Sequence, residues 1–290
     1  MIKNKNILIG IGIFVTAIIF LLFLAFPLQV NLGLLGLGLT QIGLLIIAIV
    51  GGIVLKNNWK ETFPIKKPNF KEFRGSLYIY IGIYFFTIAV ANIMMYLFPG
   101  MAEVNDALMD FFSEGGILLI ITVSIMPGIC EEALFRGAIR SAFGDIKKTA
   151  VIVCIVGVLF GLFHLDVYRF LITMILGMGL TYIMVKTGNI LYPIFFHLIH
   201  NLISILPVLL GGASVADSAE EGLSGLMLVG IVILFFAISL QFLWLGIRRL
   251  NNIHRESIKL SRRIIFEIAC FLLALTGLIL AGLSAIQGNV

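Results

Sequence analysis

The stretch ILLIITVSIMPGICEEALFRGAIRS, residues 117–141, is long and apolar enough to cross a lipid bilayer, yet its second half carries Glu131, Glu132 and Arg136. About 20 apolar residues span the hydrocarbon core, so the reading is a transmembrane helix. Ionisable side chains at that depth are costly and persist where they have a partner or a task. The rest of the chain has the same character: 60% of its residues are hydrophobic and 12% charged, with a mean hydropathy of +1.13. Such a chain cannot fold around a core with a wettable surface.

Working outward, apolar runs predict further helices at 7–29, 33–55, 77–99, 149–165, 169–186, 189–211, 224–247 and 265–286. The fold class is therefore all-α, a polytopic integral membrane helical bundle of about eight to nine transmembrane helices. No linker or repeat divides the chain, so 1–290 reads as a single membrane domain. Within it, 1–76 holds N-terminal accessory helices, 77–211 a core and 212–290 C-terminal accessory helices.

Charge placement orients the layout, since Lys and Arg are retained on the cytoplasmic side. Lys3 and Lys5, the cluster from Lys56 to Arg74, Arg140 with Lys147 and Lys148, Lys186, and the run from Arg248 to Arg263 all fall on one side. Arg169 falls opposite, with acidic loops holding Glu103, Asp106, Asp110 and Glu114, and then Asp217, Glu220 and Glu221. The expected location is the cell membrane, multi-pass, with a cytoplasmic N-terminus. A pI near 9.2 thus reflects topology, and no basic face with interleaved aromatic residues points to nucleic acid.

The first span has a basic start but no small-residue cleavage site, so it reads as a retained helix. Cys130, Cys154 and Cys270 lie in separate apolar segments without metal or disulfide spacing. The connection from Lys56 to Arg74, with Pro64 and Pro68, reads as a surface or interfacial loop.

The polar residues inside the membrane carry the chemistry. Pro127 removes a backbone donor and with Gly128 is expected to loosen the helix one turn before the glutamates. Glu132 and Arg136, four residues apart, share a face and can pair. Glu131 is rotated about 100° away and can face a different cavity. The fifth helix ends Phe160-Gly-Leu-Phe-His164, and the seventh carries Pro193-Ile-Phe-Phe-His197-Leu-Ile-His-Asn201. His197 and Asn201 share a face, whereas His200 is off that spacing and reads as packing or rim. Taken singly, each has a plainer explanation, as a structural charge cluster or as interhelical hydrogen bonding. By helical rise alone, Glu131 and His197 fall in the cytoplasmic half and His164 nearer the far side.

These residues resemble the CAAX-processing and bacteriocin-processing endopeptidases, intramembrane glutamic proteases also called the Abi family. That family carries Glu-Glu-x-x-x-Arg, Phe-x-x-x-His and His-x-x-x-Asn/Asp on successive core helices. Here Glu131, Glu132 and Arg136, Phe160 and His164, and His197 and Asn201 supply them in order, within roughly residues 80–210. The resemblance implies a conical active-site cavity between the core helices, with Glu131, His164, His197 and Asn201 catalytic and Glu132 and Arg136 supporting. Glu131 is then the base toward water, His164 its companion, and His197 and Asn201 the oxyanion donors. It further implies a membrane-bound peptide or protein substrate, whether prenylated CAAX ends, bacteriocin or pheromone precursors or other membrane-bound peptides, and no cofactor.

Several other readings stand beside this one. A catalytic zinc on the same His and Glu residues is an alternative, although no His-Glu-x-x-His is present. A Cys130–His164 pair is another, and Gly-x-Ser-x-Gly support for serine catalysis is missing. An ion-coupled carrier would use the same intramembrane charges. A non-catalytic scaffold or immunity protein is the last.

Overall fold

A computed structural model of the chain describes residues 2–113, 115–210, 225–252 and 260–287; among these there is no strand. The helices are α1 (Ile2–Phe20), α2 (Phe26–Leu55), α3 (Trp59–Thr62), α4 (Phe70–Leu97), α5 (Gly100–Phe112) and α6 (Gly116–Leu119). They continue as α7 (Met126–Glu132), α8 (Arg140–Ala142), α9 (Thr149–Phe163), α10 (Phe170–Thr187), α11 (Leu191–Leu209), α12 (Gly225–Leu250) and α13 (Leu260–Gln287). π-helical stretches at Leu21–Ala25, Ile120–Ile125 and Ala133–Ile139 join α1 to α2, α6 to α7 and α7 to α8.

Seven of the described helical rods are long and apolar enough to cross a membrane, the first running 51 residues from Lys5 to Leu55. A straight rod of that length would reach about 75 Å, far beyond the hydrocarbon core. Gly33, at φ 54° and ψ −129°, breaks it, in a conformation that glycine adopts without a Cβ clash. The two arms fold back on each other. Phe20 lies against Gly43, Ile13 against Gly51, and Gln29 Nε2 donates to Thr40 Oγ1 at 3.0 Å. Divided at Gly33 and joined by the shorter apolar α9, the described rods make nine apolar segments, at the upper end of the expected eight to nine. The chain is a multi-pass helical membrane protein.

The stretch read as an acidic loop instead contains α5. Met101, Val104, Leu108 and Phe111 recur at helical spacing while Glu103, Asp106 and Asp110 take other faces, an amphipathic pattern too short to register as a span. Glu114, Asp217, Glu220 and Glu221 lie outside the described residues.

Contacts gather the chain into two compact units, residues 1–68 with 107–213, and residues 69–106 with 214–290. In the second unit α4 runs antiparallel to α12, with Gly82 against Leu243, Gly75 against Leu250 and Gly246 against Ile79. Phe85 stacks on Phe235 and Phe86 on Phe236. α13 then closes on α12 where Gly230 meets Gly277. None of the intramembrane Glu, His or Arg residues singled out in the sequence belongs to this unit.

In the first unit α9 and α10 form a tight antiparallel pair. Gly157 lies against Met178, Gly161 against Met174 and Gly177 against Phe160, small residues that let helix backbones approach within the bilayer. The connection after α2 is docked rather than loose. Phe63 packs on Gly137, Arg140 Nη2 donates to the Glu61 carbonyl at 3.0 Å, and Asn189 bonds Lys66 at both amide ends.

Candidate active site

The site grows from the rod spanning Gly116 to Ala142. Pro127 sits in the first turn of α7, where a missing N–H is tolerated, and the π stretch Ile120–Ile125 just before it absorbs the change in winding. Gly128 serves close packing between helices. A side chain there would meet Leu198 Cβ at 3.1 Å and the Ile194 carbonyl at 3.3 Å, so the glycine lets α7 and α11 pack closely. Ser124 Oγ fastens the same seam, donating to the Leu198 carbonyl at 2.8 Å.

The adjacent glutamates part company, as a 100° rotation requires. Glu132 is fully buried and its Oε1 accepts from Arg136 Nη1 at 2.7 Å and from His197 Nδ1 at 2.8 Å. A carboxylate engaged by a guanidinium is an acceptor only, so the His197 hydrogen sits on Nδ1. Arg136 is itself fully buried. Its Nη2 donates to the Gly177 carbonyl at 3.0 Å and its guanidinium stacks over the Phe160 ring at 4.5 Å. The predicted Glu132–Arg136 pair is formed.

Glu131 points the other way. Its Oε1 accepts from Gln41 Nε2 at 3.0 Å, and its Oε2 lies 3.9 Å from His197 Nε2. His197 thus bridges the two carboxylates, one on each ring nitrogen. Glu131 and His164 line one cavity of about 530 Å³, walled by Leu21, Leu22, Phe26, Leu37 and Leu44 and by the polar Gln29, Thr40 and Gln41. His164 Nδ1 donates to the Phe160 carbonyl at 2.8 Å, which leaves Nε2 as the nitrogen without the hydrogen in the neutral ring.

His164 reaches the same cavity as Glu131 despite the depths that helical rise assigns them. The short α9 ends at Phe163, and the cavity reaches His164 and Glu131 together. His197 is buried behind Glu131, and Asn201, one turn further along α11, is half-buried. Neither lines that cavity, and His200 stays outside it as well. Among the described residues no three His, Cys, Asp or Glu side chains converge to hold a metal ion. Buried Cys130 is not in the cavity wall.

The sequence reading passed over Gln41. It was legible as an amide inside the apolar run LGLTQIGLLIIAIV, a kind of residue that in a membrane helix usually has a partner.

Residues 113–203 match the family model described as type II CAAX prenyl endopeptidase Rce1-like, and all six predicted site residues fall within it. A protein of Bacillus subtilis (strain 168) named "Putative membrane peptidase YdiL" is 28% identical over 105 residues, covering 36% of this chain and 43% of the relative. The match therefore spans less than half of that relative's length. No solved structure matches the chain.

Proposed function

We propose that this chain, with its Rce1-like type II CAAX prenyl endopeptidase domain over residues 113–203, is an intramembrane endopeptidase that hydrolyses a peptide bond of a membrane-associated substrate. The observation that carries the proposal is the division of labour between two neighbouring carboxylates. Glu132 is locked between Arg136 and His197, while Glu131 faces a cavity shared with His164.

Hydrolysis needs a base for water, donors for the oxyanion and a proton for the leaving amine. In this reading Glu131 takes a proton as the water oxygen attacks the scissile carbonyl carbon, with His164 Nε2 holding the same water. The negative charge on the carbonyl oxygen is assigned to His197, whose Nε2 is 3.9 Å from Glu131 Oε2, and to Asn201 one turn on, donors that stand beside Glu131 on α11 and not in the cavity wall. Donation from His197 Nε2 while Nδ1 stays on Glu132 requires the doubly protonated ring. With that ring cationic, Glu131, Glu132, Arg136 and His197 sum to zero charge, a favourable arrangement in low dielectric. Collapse of the tetrahedral intermediate breaks the C–N bond, and the proton held by Glu131 passes to the amine.

The substrate is a membrane-bound peptide. Prenylated C-termini and bacteriocin or pheromone precursors are the classes that the family resemblance suggests. The basic connections support a cytoplasmic N-terminus, and in this reading the membrane is the cell membrane. A library of lipid-anchored peptides incubated with purified protein in detergent tests the proposal. Cleavage by the wild type and its loss in both Glu131→Gln and His164→Ala are expected. Undiminished cleavage by both variants would overturn the site.

A further inference from the structure

A side chain that hydrogen-bonds Glu131 comes from outside the matched peptidase segment. Gln41 lies on α2, in the hairpin that precedes residues 113–203. It is 4% exposed, it lines the cavity beside Glu131 and His164, and its Nε2 donates to Glu131 Oε1 at 3.0 Å. Its own carbonyl, Oε1, is buried without a hydrogen-bond partner among the described residues. A buried amide with one end bonded and the other orphaned is costly to stability, so its retention points to a task.

We infer that Gln41 is a positioning residue: by occupying Oε1 of Glu131 it commits the other oxygen, Oε2, to the water. Two further observations support this. Oε2 lies 3.9 Å from His197 Nε2, beyond hydrogen-bond reach, so that ring does not hold it as Gln41 holds Oε1. In addition, the neighbouring polar groups on the hairpin are already satisfied. Thr40 Oγ1 accepts from Gln29 and donates to the Gly36 carbonyl at 2.9 Å, leaving the Gln41 amide to hold the carboxylate. Without that donor the carboxyl rotates about its last torsion, a broad two-fold barrier, and Oε1 and Oε2 exchange places. The inference rests on the reading of Glu131 as the base.

Gln41→Met keeps the length of the side chain and removes both polar ends. A hydrogen bond to a charged group carries weight of about tenfold to hundredfold, so kcat on a cleaved lipid-anchored peptide should fall by that factor with KM little changed. The melting temperature in detergent should change little, because the loss of the orphaned carbonyl offsets the donor taken from Glu131. A merely structural role would instead lower the melting temperature and leave kcat per folded molecule intact; that result, or wild-type kcat, overturns the inference. Glu131→Gln is run alongside. If it is inactive while Gln41→Met matches the wild type, the positioning role alone fails. If Glu131→Gln cleaves normally, the base assignment and the positioning role fall together.

Discussion

Arg136 and Phe160 form one unit: the guanidinium carbon lies 4.5 Å from the ring centroid, and both side chains are fully buried. The ring covers one face of the cation while Glu132 and the Gly177 carbonyl take its hydrogens. Arg136→Met should strip Glu132 of its guanidinium inside the protein, a loss of about 3–5 kcal/mol for a broken buried pair. Arg136→Lys should fall between this and the wild type, since an ammonium keeps the charge but lacks the planar fork that serves ring, carboxylate and carbonyl together. Unfolding of the detergent-purified variants measures both.

Gly177 supplies both a carbonyl to Arg136 and the space that Phe160 occupies. A Cβ there would come within 2.8 Å of Phe160 Cβ and 2.9 Å of its Cδ1. Gly177→Ala is therefore expected to destabilise by about 1–3 kcal/mol, as overpacking does, and to lower turnover by displacing the carbonyl that Arg136 uses. Gly12→Ala on α1, where nothing lies within 4 Å, should leave the melting temperature unchanged or raise it slightly. Melting curves of the pair separate a packing effect from a general intolerance of alanine.

His197→Gln and Asn201→Ala should each reduce kcat by about 10²–10³, the usual weight of one oxyanion donor. Initial rates against substrate concentration check this. An unchanged kcat for Asn201→Ala would return that residue to helix packing, which its half-buried place on α11 also allows.

A strong chelator should leave cleavage unchanged. Among the described residues no three His, Cys, Asp or Glu side chains are grouped so as to hold a metal ion. Loss of the rate on chelation, with recovery on adding zinc, would instead assign the same residues to a metal.

The charge pattern predicts sidedness. Lys67 and Glu103 are both exposed and belong to connections of opposite charge character. Cysteine placed at Lys67 should react from the cytoplasmic face of sealed vesicles, and cysteine at Glu103 from the outer face. Labelling with an impermeant maleimide reads both, and the reverse pattern would invert the proposed orientation.

Much of this was legible in the chain because the bilayer restricts what a polar residue can do. Each of Glu131, Glu132, Arg136, His164 and His197 stands out against an apolar run, and the i, i+4 spacing of Glu132 and Arg136 specifies their pairing within one helix. Contacts between helices were not legible in the same way. Nothing local says that His197 Nδ1 meets Glu132, nor that Gln41 reaches a residue 90 positions away. Helical rise put His164 far from Glu131 although α9 begins at Thr149 as expected, because arithmetic along separate rods says nothing of how the rods pack around a shared cavity. The helix α5 was missed since a search for runs of about 20 apolar residues does not register 13 amphipathic ones.

The sharing of Glu132 Oε1 between a near partner and a distant one has a consequence for how the protein is made. Arg136 follows Glu132 by four residues on the same rod, whereas His197 is separated from it by 65. When the rod from Gly116 to Ala142 leaves the ribosome, α9 to α11 have yet to be synthesised, and Arg136 is the ion partner at hand. The motif's arginine thus serves as an escort, letting Glu132 enter the lipid already paired and hold its place until the imidazole arrives.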